Sequence, residues 1–216
     1  MEVAMPFHTW RMRRVDAHSP GCPDPSILPL EISMDMLLAF SPFVAFVIIE
    51  RTVGTSAGLA AGALVAAVLL ARDFLSGKRR VKILEVGTFL LFGALALYSF
   101  SSGASWSVPA VRLLVDSGLF LIVLASIVLH QPFTLQYARE KVAPHLWDSP
   151  AFVRVNYAIT FAWALAFAAM VAADLLMTYS STVPHSAGIF ITVAALYAAI
   201  KFTGWYPQQQ REARQV

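Results

Sequence analysis

The fold of this chain is decided by long apolar stretches, of which residues 155–177 are the clearest: VNYAITFAWALAFAAMVAADLLM. Asp174 is the only charged side chain in the stretch. A helix rises 1.5 Å per residue, so these residues extend about 34 Å, enough to cross a hydrocarbon core of about 30 Å. Polar and apolar residues do not alternate as they do in a membrane β-strand, so a transmembrane helix is predicted.

The composition of the whole chain agrees with a membrane location. Of its 216 residues, 58% are apolar and only 13% are charged. A soluble domain has about 45–50% apolar and about 25% charged residues. So few charges could not cover a globule in water, which excludes a soluble enzyme, a disordered chain and a nucleic-acid-binding domain. The single Cys excludes an internal disulfide and a cysteine-based zinc site.

Six apolar segments, lettered A to F, are predicted along the chain. They cover residues 36–49 (A), 52–71 (B), 83–100 (C), 110–130 (D), 155–177 (E) and 188–206 (F). Segments B to F are each long enough to span a bilayer, whereas segment A is shorter and contains Pro42. We therefore predict an all-α, polytopic integral membrane helical bundle with six spans, or five if segment A is re-entrant.

The positions of Lys and Arg set the predicted orientation, because cytoplasmic loops carry an excess of both. With six spans and a cytoplasmic N-terminus, 14 of the 16 basic residues face the cytoplasm, and only Arg51 and Arg112 lie outside. With five spans the division becomes 11 to 5. Six spans with both termini in the cytoplasm is the better interpretation. The net charge of +3 then reflects orientation rather than an anionic ligand.

The regions flanking the bundle are polar. Residues 1–35 are rich in Pro and have no periodic apolar face, which predicts a disordered N-terminal tail. Residues 36–206 form the predicted transmembrane bundle, and residues 207–216 a short polar C-terminal tail. Residues 72–82, RDFLSGKRRVK, predict a basic cytoplasmic turn that orients the bundle and contacts anionic headgroups.

The longest internal loop, residues 131–154, is predicted on the cytoplasmic side. Its apolar residues alternate with charged ones, which favours a short helix lying in the membrane interface. Pro144 should break that helix, and Ser149 followed by Pro150 has the pattern of an N-cap that starts helix E. In segment B, Gly58 and Gly62 allow another helix to approach closely.

Charged residues at the outer ends of the spans form a candidate polar network. Its members are predicted at one membrane level and are Glu50, Arg51, Arg112, Asp116 and Asp174. Such a network could simply hold segments A, D and E together, since ion pairs near an interface often have no chemical role. The alternative is the mouth of a substrate or ion pathway, because ionisable residues inside spans mark functional sites by default.

Known catalytic and cofactor motifs are absent from the sequence. It contains no Walker A loop, HExxH or GxSxG motif, and no span carries a His pair for haem. We therefore predict no catalytic, cofactor-binding or metal-binding residue, and an enzyme is the least favoured class. A lipid-modifying enzyme would have to use the polar groups of the loop, which are Tyr137, Arg139, Glu140 and His145.

Several spaced positions resemble the bacterial intracellular septation protein A family of inner-membrane proteins. They are Pro42 in segment A, the QPF sequence at residues 131–133, and Trp147, Asn156 and Trp163. The resemblance covers residues 36–206 and carries no catalytic signature. That family is described as five-span with a cytoplasmic C-terminus. A sixth span and the long N-terminal tail depart from that description, and the departure concerns segment A. The resemblance identifies Trp147, Asn156 and Trp163 as candidate contacts between the loop and helix E.

The resemblance implies a role in envelope maintenance or septation in the bacterial inner membrane. The expected partners are the lipid bilayer and membrane proteins of envelope synthesis, with no nucleic acid and no cofactor. A homo-oligomer is left open. The alternative function is a small-solute or ion transporter or channel, which requires a polar pathway reaching Asp116 or Asp174.

Overall fold

The computed structural model describes residues 34–76, 82–103, 106–179 and 185–215. The predicted tail up to residue 33 and the centre of the basic turn, residues 77–81, lie outside the described residues. Within these ranges the chain is helical and has no strand. The helices are α1 (Met34–Leu38), α2 (Ser41–Thr52), α3 (Thr55–Leu75), α4 (Ile83–Ser102), α5 (Val108–Val128), α6 (Phe133–Ala138), α7 (Pro150–Tyr179) and α8 (His185–Gln215).

Five of these helices are long and apolar enough to cross a bilayer. They are α3, α4, α5, α7 and residues 187–210 of α8, and they correspond to segments B to F. Large apolar side chains such as Leu64, Leu121 and Leu165 point outward from them. Such a surface suits lipid rather than water. The chain is therefore a helical integral membrane protein that crosses the membrane several times.

The long helices pack against one another in chain order, and α7 is the most deeply buried of them. Helix α3 packs against α4, α4 against α5, α5 against α7, and α7 against α8. Half of the span of α7 is buried inside the protein, against 11% of the span of α8. Trp163 of α7 lies in the core, where its ring stacks on Phe40 at 4.9 Å and meets Phe167 and Phe133 at 5.7 and 6.3 Å. Helix α7 is thus central and α8 peripheral.

Segment A forms two short helices instead of one continuous helix. Helix α2 has Pro42 in its first turn, where the missing N–H is tolerated, and its 12 residues extend only about 18 Å. The Oδ1 of Asp35 in α1 lies 3.7 Å from Nη2 of Arg72, near the end of α3. Helix α2 packs against α3 as far as Gly58, near the start of α3. Segment A therefore runs along most of α3, and the six-span topology remains a prediction.

The close helix contact predicted at Gly58 is confirmed. A Cβ added at Gly58 would lie 2.9 Å from the backbone N of Glu50 and 2.9 Å from the backbone O of Phe46. At Gly62 an added Cβ would meet the ring of Phe92 at 2.8 Å. The two glycines therefore admit the backbone of α2 and an aromatic ring of α4.

The prediction that the loop carries a helix lying in the membrane interface is wrong for α6. Phe133, Thr134, Leu135 and Tyr137 are all buried, and α6 packs against α7. The polar member of this set is satisfied inside the protein, because the Thr134 hydroxyl lies 2.7 Å from that of Thr160. Burial therefore leaves no unpaired hydroxyl there, and the apolar side chains gain more from the protein core than from the headgroup region.

Helices α7 and α8 both extend beyond the predicted segments E and F. Helix α7 begins at Pro150, and the backbone N of Phe152 donates to the Ser149 hydroxyl over 3.3 Å, which confirms the predicted cap. Helix α8 does not end at Tyr206 but continues through Pro207 to Gln215. Gln, Glu, Ala and Arg, which follow Pro207, are strong helix formers and carry the helix beyond the apolar span.

Candidate functional site: a buried charge cluster around Lys82

A lysine and three acidic side chains meet where α3 ends and α4 begins. Asp73 comes from the last turn of α3, Lys82 directly precedes α4, and Glu85 lies in the first turn of α4. Glu140 and Tyr137 come from α6 and the residues just after it. We call these five residues the Lys82 cluster, and this side of the bundle the Lys82 end.

Lys82 lies at the centre of the cluster. Its side chain is only 2% exposed, and its Nζ lies 3.0 Å from Asp73 Oδ2, 3.2 Å from Glu85 Oε1 and 3.1 Å from Glu140 Oε1. The Nζ also lies 4.6 Å from the centre of the Tyr137 ring. The three donors of the ammonium group can therefore each face a carboxylate.

Tyr137 and Arg72 complete the surroundings of the cluster. The Tyr137 hydroxyl donates to Glu85 Oε1 over 3.2 Å. Arg72 donates to Asp73 Oδ1 through Nε at 3.0 Å and through Nη2 at 2.9 Å. Helices α3, α4 and α6 are thus joined by one network of hydrogen bonds and ion pairs.

The network keeps Lys82 charged and Tyr137 neutral. Burial alone would lower the pKa of Lys82, but the hydrogen bond with Asp73 and the charges of Glu85 and Glu140 outweigh it and raise that pKa above 10.5. Burial, followed by the negative charge of Glu85, raises the pKa of Tyr137 above 10.0. At neutral pH the lysine is therefore an ammonium ion and the tyrosine remains a hydrogen-bond donor.

Two carboxylate oxygens of the cluster remain without a partner among the described residues. Glu85 Oε2 and Glu140 Oε2 are buried and accept no hydrogen bond there. Buried, unpaired oxygens of this kind are costly and are satisfied by water, a proton or a ligand when one is present. The cluster can therefore hold α3, α4 and α6 together by ion pairs, and its carboxyl groups can exchange protons.

The structure corrects the prediction for the end of the basic turn. Lys82 was predicted in a turn that contacts anionic headgroups, but its side chain is buried and paired with Glu85. The reason is that Asp73, Glu85 and Glu140 together offer Lys82 more favourable charge than water or lipid phosphate at the surface. The one signal in the sequence was the spacing of Lys82 and Glu85, three residues apart on one helix face.

The four polar loop residues considered for a lipid-modifying enzyme lie in different surroundings in the structure. Tyr137 and Glu140 join the Lys82 cluster. Arg139 instead lies 3.5 Å from the exposed Asp148 and over the ring of Trp147, and His145 is exposed. The four residues therefore do not form one enzyme-like site.

At the opposite end of the bundle, the structure brings together part of the predicted polar network. The carboxyl groups of Asp116 in α5 and Asp174 in α7 lie within hydrogen-bonding reach of each other, and we call them the aspartate pair. The charge of Arg112 acts on both aspartates and on the buried Glu50. Arg51 is exposed, and its charge acts on Glu50. Whether the network has a function remains a prediction.

The candidate contact residues Trp147, Asn156 and Trp163 lie in three places. Trp147 Nε1 donates to the backbone O of Arg139 and Val142 at 3.1 and 2.9 Å, which closes the loop on itself. The backbone O of Asn156 accepts from the Thr134 hydroxyl at 2.9 Å. Trp163 Nε1 donates to Thr203 in α8 at 3.0 Å.

Metal binding and known relatives give no further assignment. Across the described ranges, no group of three or more His, Cys, Asp or Glu side chains is arranged to hold a metal ion. Comparisons with protein-family models, curated proteins and solved structures return no match. The function must therefore be argued from the residues of this chain.

Proposed function

We propose that this chain is a multi-pass protein of the bacterial inner membrane, of the septation protein A type, which supports envelope maintenance or septation through contacts with other membrane proteins. The observation that carries the proposal is the place of the resembling positions in the fold. Among them, Phe133, Asn156 and Trp163 lie where the loop after α5 contacts α7.

Three contacts involve the resembling positions. The ring of Phe133, from the QPF sequence, meets Trp163 edge-on at 6.3 Å. The Thr134 hydroxyl donates to the backbone O of Asn156. Trp147 holds the end of the loop through two hydrogen bonds. Two of these contacts join the loop to α7 and the third orders the loop itself, and this arrangement supports a common architecture.

Action through contacts is supported by where polar and apolar groups lie. The Lys82 cluster pairs its charges inside the protein, whereas α8 packs against α7 and leaves Phe190, Val193 and Tyr197 exposed. A peripheral helix with a bare apolar face can bind another membrane helix at little cost, because it only displaces lipid.

Photo-crosslinking in native membranes tests this proposal. A photoreactive residue at Val193 should capture proteins of septum or wall synthesis. The same residue at Leu64, an outward position on α3, serves as the control for random collisions. Capture of no partner at Val193, together with solute flux in liposomes that contain the purified protein, would overturn the proposal.

Small-solute or ion transport is the second candidate function. It is favoured by the charged groups that α2, α5 and α7 place inside the bundle, since such groups mark ion and proton pathways in transporters. Asp116→Asn and Asp174→Asn should then reduce uptake and growth. Unchanged uptake and growth in both variants would remove transport from consideration.

A further inference from the structure

We propose that the aspartate pair is a proton-binding site, in which Asp116 and Asp174 share one proton. The inference goes beyond the proposed function and is independent of it, because a bound proton can be detected whether the protein acts through contacts or by transport.

The first support for the proposal is the burial and contact of the two carboxyl groups. Asp116 is 9% exposed and Asp174 is 1% exposed, and their carboxyl groups lie within hydrogen-bonding reach. A hydrogen bond needs a donor, and a carboxylate has none. The contact therefore requires a protonated carboxyl group on one side, as in other sites where two carboxylates meet.

The second support is an unpartnered oxygen of the pair itself. Oδ2 of Asp174 is buried and has no hydrogen-bond partner among the described residues, and neither has Oε1 of Glu50, whose carboxyl group is also influenced by Arg112. Glu50 belongs to α2, so the unpaired oxygens come from two separate elements. An unsatisfied carboxylate oxygen in an apolar bundle attracts a positive ligand, and a proton is the smallest that can fit.

The charges that surround the pair do not neutralise it. Helix α2 contributes Glu50 and the exposed Arg51, and α5 contributes Arg112, which is half-buried. Helix α4 carries its only charged residue, Glu85, at the Lys82 end. Among the described residues, the charge of Arg112 thus acts on three acidic groups, and repulsion between the two adjacent aspartates is strong where water is excluded. One shared proton removes the closest repulsion.

In the expected arrangement, the O–H of one aspartic acid donates to a carboxylate oxygen of the other. The pair then carries one negative charge instead of two. Arg112 lies near enough for its charge to act on both members.

Infrared spectroscopy of the purified full-length protein in a detergent that contains no ester group tests the proposal. A protonated carboxyl group gives a C=O stretching band that a carboxylate lacks. We expect this band at neutral pH in the wild-type protein, and we expect it to disappear reversibly as the pH is raised. Absence of the band at neutral pH would overturn the proposal without the need for any variant.

Substitution by Asn assigns the band to this site. In Asp116→Asn or Asp174→Asn the new amide N–H can donate to the remaining carboxylate, so no proton is shared and the band should be lost in each variant. Asp148→Asn is the matched control, because Asp148 is 96% exposed, and it should keep the band. Circular dichroism verifies that the variants are folded. A band retained in both pair variants, or removed by sodium at constant pH, would overturn the assignment.

Discussion

The Lys82 cluster and the aspartate pair are two buried acidic sites at opposite ends of the same bundle. In the cluster, three carboxylates surround an ammonium group at 3.0–3.2 Å. In the pair, two carboxyl groups meet each other without a cation between them. Burial of acidic residues therefore has two outcomes here. Opposite charges bind helices together, whereas like charges require a proton.

The comparison gives each site a different sensitivity to mutation. Removal of the central cation should leave three buried carboxylates unpaired in the cluster. Replacement of one aspartate of the pair by Asn should leave the charge of the pair unchanged at neutral pH, because the pair already holds one proton. The expected changes in unfolding free energy therefore differ in size between the two sites.

Lys82→Met should cause the largest loss of stability. Breaking a buried ion pair by removing one partner costs about 3–5 kcal/mol, because the remaining charge is left uncompensated. Chemical unfolding in detergent measures the loss. Lys141→Met, at an exposed lysine of the same loop, should change the unfolding free energy by less than about 0.5 kcal/mol. Equal stability of the two variants would show that the cluster does not clamp the helices.

Gly58→Ala should cost about 1–3 kcal/mol, because the new Cβ would overlap the backbone of α2, which carries Glu50. Gly93→Ala is the matched control, since no atom lies within 4 Å of a Cβ at that position. The control should be neutral or slightly stabilising, because Ala favours a helix more than Gly does. Thermal unfolding of the two variants side by side separates crowding from helix propensity.

Tyr137→Phe should cost about 1 kcal/mol at neutral pH, because it removes one hydrogen bond to Glu85 and leaves Lys82 in place. The wild-type protein should also lose stability in alkali. The pKa values of Lys82 and Tyr137 lie above 10.5 and 10.0 in the folded state, so their contributions are complete below pH 10 and decline as the pH rises through the folded values. The decline should be shallower in Tyr137→Phe. Equal alkaline slopes would exclude a contribution from Tyr137.

Asp116→Asn should have the smallest effect, below about 1 kcal/mol, because the amide replaces the proton-dependent hydrogen bond with a permanent one. Unfolding at neutral pH, beside Lys82→Met, measures the difference between the two sites directly. A loss as large as that of Lys82→Met would mean that the aspartates act as a clamp instead.

The spans could be predicted from the sequence because length and apolar composition decide them locally. The cap at Ser149 and the close approach at Gly58 could also be predicted, since each depends on a short pattern of residue types. The path of segment A alongside α3 depends on tertiary contacts, such as that between Asp35 and Arg72, which no local pattern encodes.

The Lys82 cluster could not be predicted, because its members come from separate parts of the chain. Asp73 lies nine residues before Lys82, and Glu140 follows only after α4 and α5. The loop pattern suggested an amphipathic helix on the membrane surface. Its burial depends on partners in α7 that no local pattern reveals, such as Thr160 for the Thr134 hydroxyl. The aspartates were expected at one membrane level, but their direct contact depends on how α5 and α7 pack.

The aspartate pair and the Lys82 cluster are expected to lie on opposite sides of the membrane. Single cysteines at Val53, next to α3 at one end, and at Ser76, at the other end of α3, test this in a Cys22→Ser background. Both positions are exposed. In intact cells with a permeable outer layer, an impermeant maleimide should label Val53→Cys at once and Ser76→Cys only after the membrane is opened. Labelling of both cysteines from the same side, or of Ser76→Cys alone, would contradict the account.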